Sequence, residues 1–230
     1  MFLIKIVVGL IFGVVSLISD AINSLSDIIS AAFISYSVKI NDELPDSNHE
    51  FGHSRAENIA GYTTGILMII LGLSVIKYAF ERVLSEEMAQ YSQLVLYVIG
   101  ATFLVKLLMY FYIKGVLKSE SSPALKANLQ DHLNDVIIIL GVFLAVVLLN
   151  LGYPMADPVM GVLIGLYVIK SGFDVSRENV HYLMGISAGK KVLKKIEKKV
   201  YKNRDVISIN KIKSQYLGSK VQVEIHIGLS

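Results

Sequence analysis

Two apolar stretches of this chain carry the same polar stripe. One reads Asp20, Asn23, Asp27 and the other Asn128, Asp131, Asp135. Both are spaced i, i+3, i+7, which stacks the three side chains on one helical face. Both are followed by apolar runs of membrane-spanning character. Acidic groups at that depth are costly and usually face a bundle interior or a water-filled path. Two oxygen-rich stripes on two helices therefore predict a site for a hard cation that crosses a membrane.

The composition agrees with a membrane protein. Charged residues make up 18% of the 230 positions, against about a quarter in soluble domains, and the mean hydropathy is +0.57. There is no cysteine, which excludes a disulfide framework and a thiolate metal site. Six apolar segments can be marked, at 2–15, 17–38, 57–80, 93–113, 127–150 and 156–173. A span needs about 20 apolar residues. The first is short and contains Lys5. No small-residue cleavage site follows it, so it reads as the remaining half of a first helix.

Loop charges predict the orientation. Lys39 and Arg55 flank one loop, and Lys114, Lys118 and Lys126 another, whereas the 83–92 loop carries Glu86 and Glu87 and neither Lys nor Arg. The positive-inside bias puts both termini in the cytosol, as an even number of spans requires. Gly61 with Gly65, and Gly161 with Gly165, form small-xxx-small faces for close helix packing. Tyr91, Tyr97, Tyr110, Tyr112 and Tyr153 sit near span ends, as an interfacial belt would.

Residues 187–230 are a different kind of sequence. They hold eleven Lys and Arg against the three acids Glu197, Asp205 and Glu224. Val192, Leu193, Ile196 and Val200 recur at helical spacing. The lysines at 190–202 read as a solvated helix face beside anionic lipid. Ile207, Ile209 and Ile212 suggest a strand, a turn falls near Gly218 and Ser219, and Val221, Val223, Ile225 and Ile227 alternate with polar residues as a half-buried strand. The predicted organisation is a transmembrane domain at 1–175, a linker at 176–186 and a partial αββ domain at 187–230.

Each polar feature also has a plainer reading. Asp27, Asp131 and Asp135 could pair with Lys77, Lys106 or Lys170, but these lysines lie towards helix ends and can snorkel, so the metal reading is preferred. Asn23 could serve an interhelical hydrogen bond. Asp20 and Asn128 sit one turn further along and read as helix-packing groups. His132 points about 100° away from Asp131 and reads as structural, with a proton relay as the alternative. Asp46, His49 and His53 are spaced for a metal site, or for a turn in which Asp46 caps the helix that starts nearby. Asp157 before Pro158 reads as the cap of its own helix.

Four motifs in order carry a resemblance. "LISDAINSLSDI" (17–28), "HEFGHSRAE" (49–57), "ANLQDHLND" (127–135) and "YLMG" (182–185) resemble those of the cation diffusion facilitators, proton-coupled exporters of divalent metals. The resemblance implies a six-helix transmembrane bundle with a ferredoxin-like cytosolic domain, acting as a homodimer. It implies a transport site of Asn23, Asp27, Asp131 and Asp135, a loop site of Asp46, His49 and His53, and a ligand role for His226 on a cytosolic strand. The chain departs from the pattern in three ways. It has no histidine in the quartet, the first helix lacks its N-terminal half, and the second helix and third strand of the cytosolic αββαβ unit are missing.

The quartet chemistry narrows the cargo. An all-oxygen set suits Mg, Ca or Mn, whereas imidazole favours Zn, Cu, Ni and Fe. The resemblance sets Mg and Ca aside, and "DHLND" resembles the "DHRND" of manganese-exporting members. Mn²⁺ therefore leads, Fe²⁺ follows, and Zn²⁺ and Co²⁺ remain admitted. Clustered carboxylates repel one another, so the empty site should hold protons that an entering M²⁺ expels. Partners are thus metal ions, protons and the lipid bilayer of the cytoplasmic membrane, with no nucleic acid. No cofactor and no enzymatic activity are expected, and no Walker motif appears. Two other classes stay open. One is a non-transporting sensor or partner subunit. The other is an intramembrane aspartyl-type enzyme, although GxGD-like and HExxH motifs are absent.

Overall fold

Gly13 ends the first helix. Its backbone is left-handed (φ 65°), a conformation that glycine adopts without steric cost, and a Cβ there would collide with the Arg82 guanidinium. In the computed structural model of the chain, α1 is therefore only Phe2–Phe12 and α2 runs Val15–Asn41. The helices α3 (Ala56–Leu84), α4 (Gln93–Val116), α5 (Pro123–Asn150), α6 (Ala156–Leu183) and α7 (Lys190–Val200) follow, then the strands β1 (Val206–Leu217) and β2 (Lys220–Leu229). The structure describes residues 1–41, 46–50, 52–85, 89, 92–116, 123–203, 205–217 and 220–229. Glu86, Glu87, Tyr91, Lys118 and the predicted turn at Gly218 and Ser219 lie outside them.

Among the described residues, four helices are long and apolar enough to cross a membrane: α3, α4, the Asp131–Asn150 part of α5, and α6. In α2 the polar stripe and several serines interrupt the apolar run. The helices outrun the predicted spans at several ends, because apolar counting marks only the hydrocarbon core. Thus α6 continues beyond 173 through Arg177, Glu178 and Asn179 to Leu183.

The chain divides into two compact units, Met1–Ile28 with Leu67–Ser171, and Ile29–Ile66 with Gly172–Ser230. The first is built on a core of Val8, Leu17, Val95, Ile99, Ile139, Val142, Val146 and Val168. Glycine lets backbones approach closely here. A Cβ on Gly72 would lie 2.8 Å from the Gly165 carbonyl, and one on Gly161 would meet Val15.

Asp157 corrects the prediction made for it. Its carboxylate accepts from the Val15 N–H (2.7 Å), the Ser16 N–H (3.0 Å) and the Ser16 hydroxyl (2.5 Å). It caps the N-terminus of α2, whose first amides have no partner within the helix, and not the start of α6.

In the second unit, Gly61 lies against Asn179, and a Cβ on Gly65 would lie 2.6 Å from the Gly172 carbonyl. Asn58 donates to Asn179 at 3.4 Å. The strands form an antiparallel hairpin. Its register slips between Ile209 and Lys211, an irregularity of the bulge type. That slip leaves both Ile209 and Ile212 partly buried despite their odd spacing. The Tyr216 N–H donates to the Ile186 carbonyl (3.0 Å), and the Tyr216 ring meets Tyr182 edge-on at 5.6 Å. The hairpin is thereby fastened beside the end of α6.

Candidate metal centre

Within the first unit, the two stripes meet. Asn23 on α2 is buried, and its Nδ2 donates to Asp135 Oδ1 on α5 at 3.1 Å. One of the two amide protons is thus given to Asp135, while the amide oxygen remains an acceptor. Asp27 lies one turn along α2 with its side chain about half exposed (55%), whereas the Asp135 side chain is 13% exposed. Asp131 stands exposed on α5, one turn before Asp135. Asn23, Asp27 and Asp135 are thus brought together, and Asp131 flanks them.

Lys106, near the middle of α4, joins this group. Its ammonium pairs with Asp135 Oδ2 and lies 3.9 Å from Asp27 Oδ2, with the side chain only 15% exposed. It does not snorkel to a helix end, the behaviour expected from the sequence, because two carboxylates lie within reach of its four-carbon stem. His132 has Nδ1 buried without a hydrogen-bond partner, 3.9 Å from Asp135 Oδ2.

The start of the α2 stripe is neutralised separately. Lys5 is fully buried, pairs with Asp20 Oδ2 at 2.7 Å and donates to Ser24 Oγ at 3.1 Å. Asp20 is therefore a packing group. Lys5 and Lys106 were the residues that sequence reading undervalued. Each is the single charge in its apolar segment, and a charge that cannot easily reach water is the signal to seek a partner.

The second unit brings Asp46, His49 and His53 together, with one donor atom from each inside 4.8 Å. His49 Nδ1 lies 3.2 Å from Asp46 Oδ1, and His53 Nε2 lies 3.5 Å from Asp46 Oδ2 and 3.1 Å from His49 Nδ1. Asp46 Oδ1 also accepts from the Asn48 and His49 amides. It therefore closes its own turn and does not cap α3. The His49 amide is the main cause that holds the Asp46 carboxyl below its ordinary range, with the Asn48 amide adding to it. His53 Nδ1 is buried and unpartnered. The turn borders a cleft of about 650 Å³ lined also by Gln215, Leu217 and Gln222 of the hairpin.

His226 on β2 is exposed and makes a 2.7 Å contact with Glu224 Oε1. That hydrogen bond lowers the Glu224 carboxyl from its ordinary value, with Lys213 contributing. Among the described residues, no third metal-ligating side chain gathers at this pair.

Comparison with known proteins shows what the chain as a whole is similar to. The family model for the cation efflux transmembrane domain matches residues 1–184. An uncharacterised transporter of Methanocaldococcus jannaschii is 32% identical over 225 residues, covering 98% of this chain and 80% of that protein. The manganese efflux system protein MneS of Bacillus subtilis is 29% identical over 233 residues, covering 99% and 78%. The magnetosome protein MamB of Magnetospira sp. is 25% identical over 225 residues, covering 97% and 76%.

Proposed function

This chain belongs to the cation efflux family, the cation diffusion facilitators, and on that premise we propose that it exports Mn²⁺ from the cytosol in exchange for protons. The observation that carries the reading is the convergence of Asn23 and Asp27 from α2 with Asp135 from α5 around one cationic group. With Asp131 they form the transport site. Four oxygen-donor residues suit a hard divalent ion better than an imidazole-rich set would. The similarity to MneS, named for manganese efflux, supports the same cargo, with Fe²⁺, Zn²⁺ and Co²⁺ as weaker substrates.

In this reading residues 1–175 form a six-helix bundle in the cytoplasmic membrane, with α1 and α2 joining the four apolar spans of α3 to α6. Both termini face the cytosol. Residues 176–186 lead to a cytosolic αββ segment at 187–230, and the working unit is a homodimer. The carboxylates bind either protons or metal, so one site serves both substrates. Asp46, His49 and His53 form an accessory loop site, supported by their mutual distances.

Mn²⁺ flux into proteoliposomes tests the transport site. D131A and D135A should abolish flux while the protein still reconstitutes. Near-normal flux in both variants would remove these residues from the site.

A further inference from the structure

Lys106 is the feature of the centre that neither the stripes nor the quartet chemistry accounts for. It comes from a third helix, α4, yet its ammonium reaches carboxylates of both stripe helices, pairing with Asp135 and lying 3.9 Å from Asp27. The side chain is largely buried. A divalent ion held by Asp27 and Asp135 needs the oxygens that this ammonium now faces. The two cations cannot share those oxygens without strong repulsion. Even at the dielectric of bulk water, a unit charge about 4 Å from a divalent ion changes its affinity by more than about tenfold.

We propose that Lys106 is a resident cation of the transport site. Its ammonium occupies the metal's place between Asp27 and Asp135 when the site is empty, and metal must displace it. The role rests on the transport-site reading given above. It has two consequences. Metal binding is weakened by the competition, and metal release is aided, because the carboxylates regain a tethered partner as the ion leaves. An exporter gains from this, since a tethered cation adds to the competition from protons and keeps clustered carboxylates from holding the cargo too tightly. Lys106 thereby sets the affinity of the site without ligating the metal.

The test measures Mn²⁺ binding to the purified full chain in lipid nanodiscs, counting free Mn²⁺ by its electron paramagnetic resonance signal. K106Q should tighten the dissociation constant by about tenfold or more, and K106R, which keeps the charge, should stay near wild type. K106M is a second neutral variant, chosen because its apolar stem refills the same space, and it should behave as K106Q does. Turnover at saturating Mn²⁺ should fall in both neutral variants, because release slows. A purely structural ion pair would give no tightening. Wild-type or weaker affinity in K106Q and K106M, with binding still lost in D135N, would overturn the resident-cation role and leave the transport site standing. Unchanged binding in D135N would instead overturn the transport-site reading itself.

Discussion

Asn23 Nδ2 and Asp135 Oδ1 lie 3.1 Å apart, although 112 positions separate them in the chain. This hydrogen bond joins the two helical stripes directly, and Lys106, which reaches Asp27 and Asp135, joins them a second time. Asn23→His should keep the meeting point but replace the amide oxygen with imidazole. Transport should shift towards Zn²⁺ relative to Mn²⁺, because imidazole suits Zn²⁺ better. Competition between the two ions in a proteoliposome flux assay reads the ratio. A wild-type protein that already prefers Zn²⁺ would contradict the oxygen-donor argument.

Asp157 should matter for stability rather than for transport chemistry. It satisfies two backbone amides and a hydroxyl at the start of α2. Asp157→Ala should cost about 2 kcal/mol, the upper end for loss of a helix cap, and lower the thermal midpoint in detergent. Ser16→Ala, which removes only the hydroxyl donor, should cost less. Equal midpoints for wild type and Asp157→Ala would show that α2 does not depend on this cap.

Glycine substitutions should separate two kinds of position. A Cβ on Gly65 would press on the Gly172 carbonyl at 2.6 Å, whereas Gly100 has nothing within 4 Å. Gly65→Ala should destabilise by about 1–3 kcal/mol through overpacking. Gly100→Ala should be neutral or stabilising by up to about 1 kcal/mol, since alanine favours helix. Thermal unfolding of the two variants checks the sign of each.

The turn at Asp46 has a predicted pH response. Hydrogen bonds from the His49 and Asn48 amides lower its carboxyl below the ordinary range. A folded-state value below the unfolded one means that the turn's stabilisation is fully present above the unfolded value. It is lost as pH falls through the depressed folded value. The His49 amide resonance should therefore titrate with a midpoint below about 3.9, the ordinary Asp value, and the transition should vanish in Asp46→Asn. A midpoint at or above the ordinary value would mean that the turn does not hold the carboxylate.

Much of this structure is legible in the sequence because it is periodic. The stripe Asp20, Asn23, Asp27 announces both a helix and its polar face, and the alternation from Val221 to Ile227 announces β2. Periodicity names a face, but not what that face meets. Asp157 looked like the cap of the helix it begins, yet it caps a helix 141 residues earlier. Lys106 looked free to snorkel until α4 was seen to place it between Asp27 and Asp135. The bulge after Ile209 was hidden for a related reason, since register is decided by the partner strand. Long-range partners of charged and polar groups are thus the part that local pattern does not carry.

In the proposed mechanism, metal and protons use the same carboxylates. Proteoliposomes with a trapped pH dye, clamped voltage and an imposed Mn²⁺ gradient test it most directly. Mn²⁺ movement should drive protons the opposite way. Both fluxes should disappear together in Asp135→Ala and persist in His132→Gln. Mn²⁺ movement with no opposing proton movement in the wild-type protein would contradict the shared site. So would loss of proton coupling in His132→Gln alone, which would make that histidine the proton carrier.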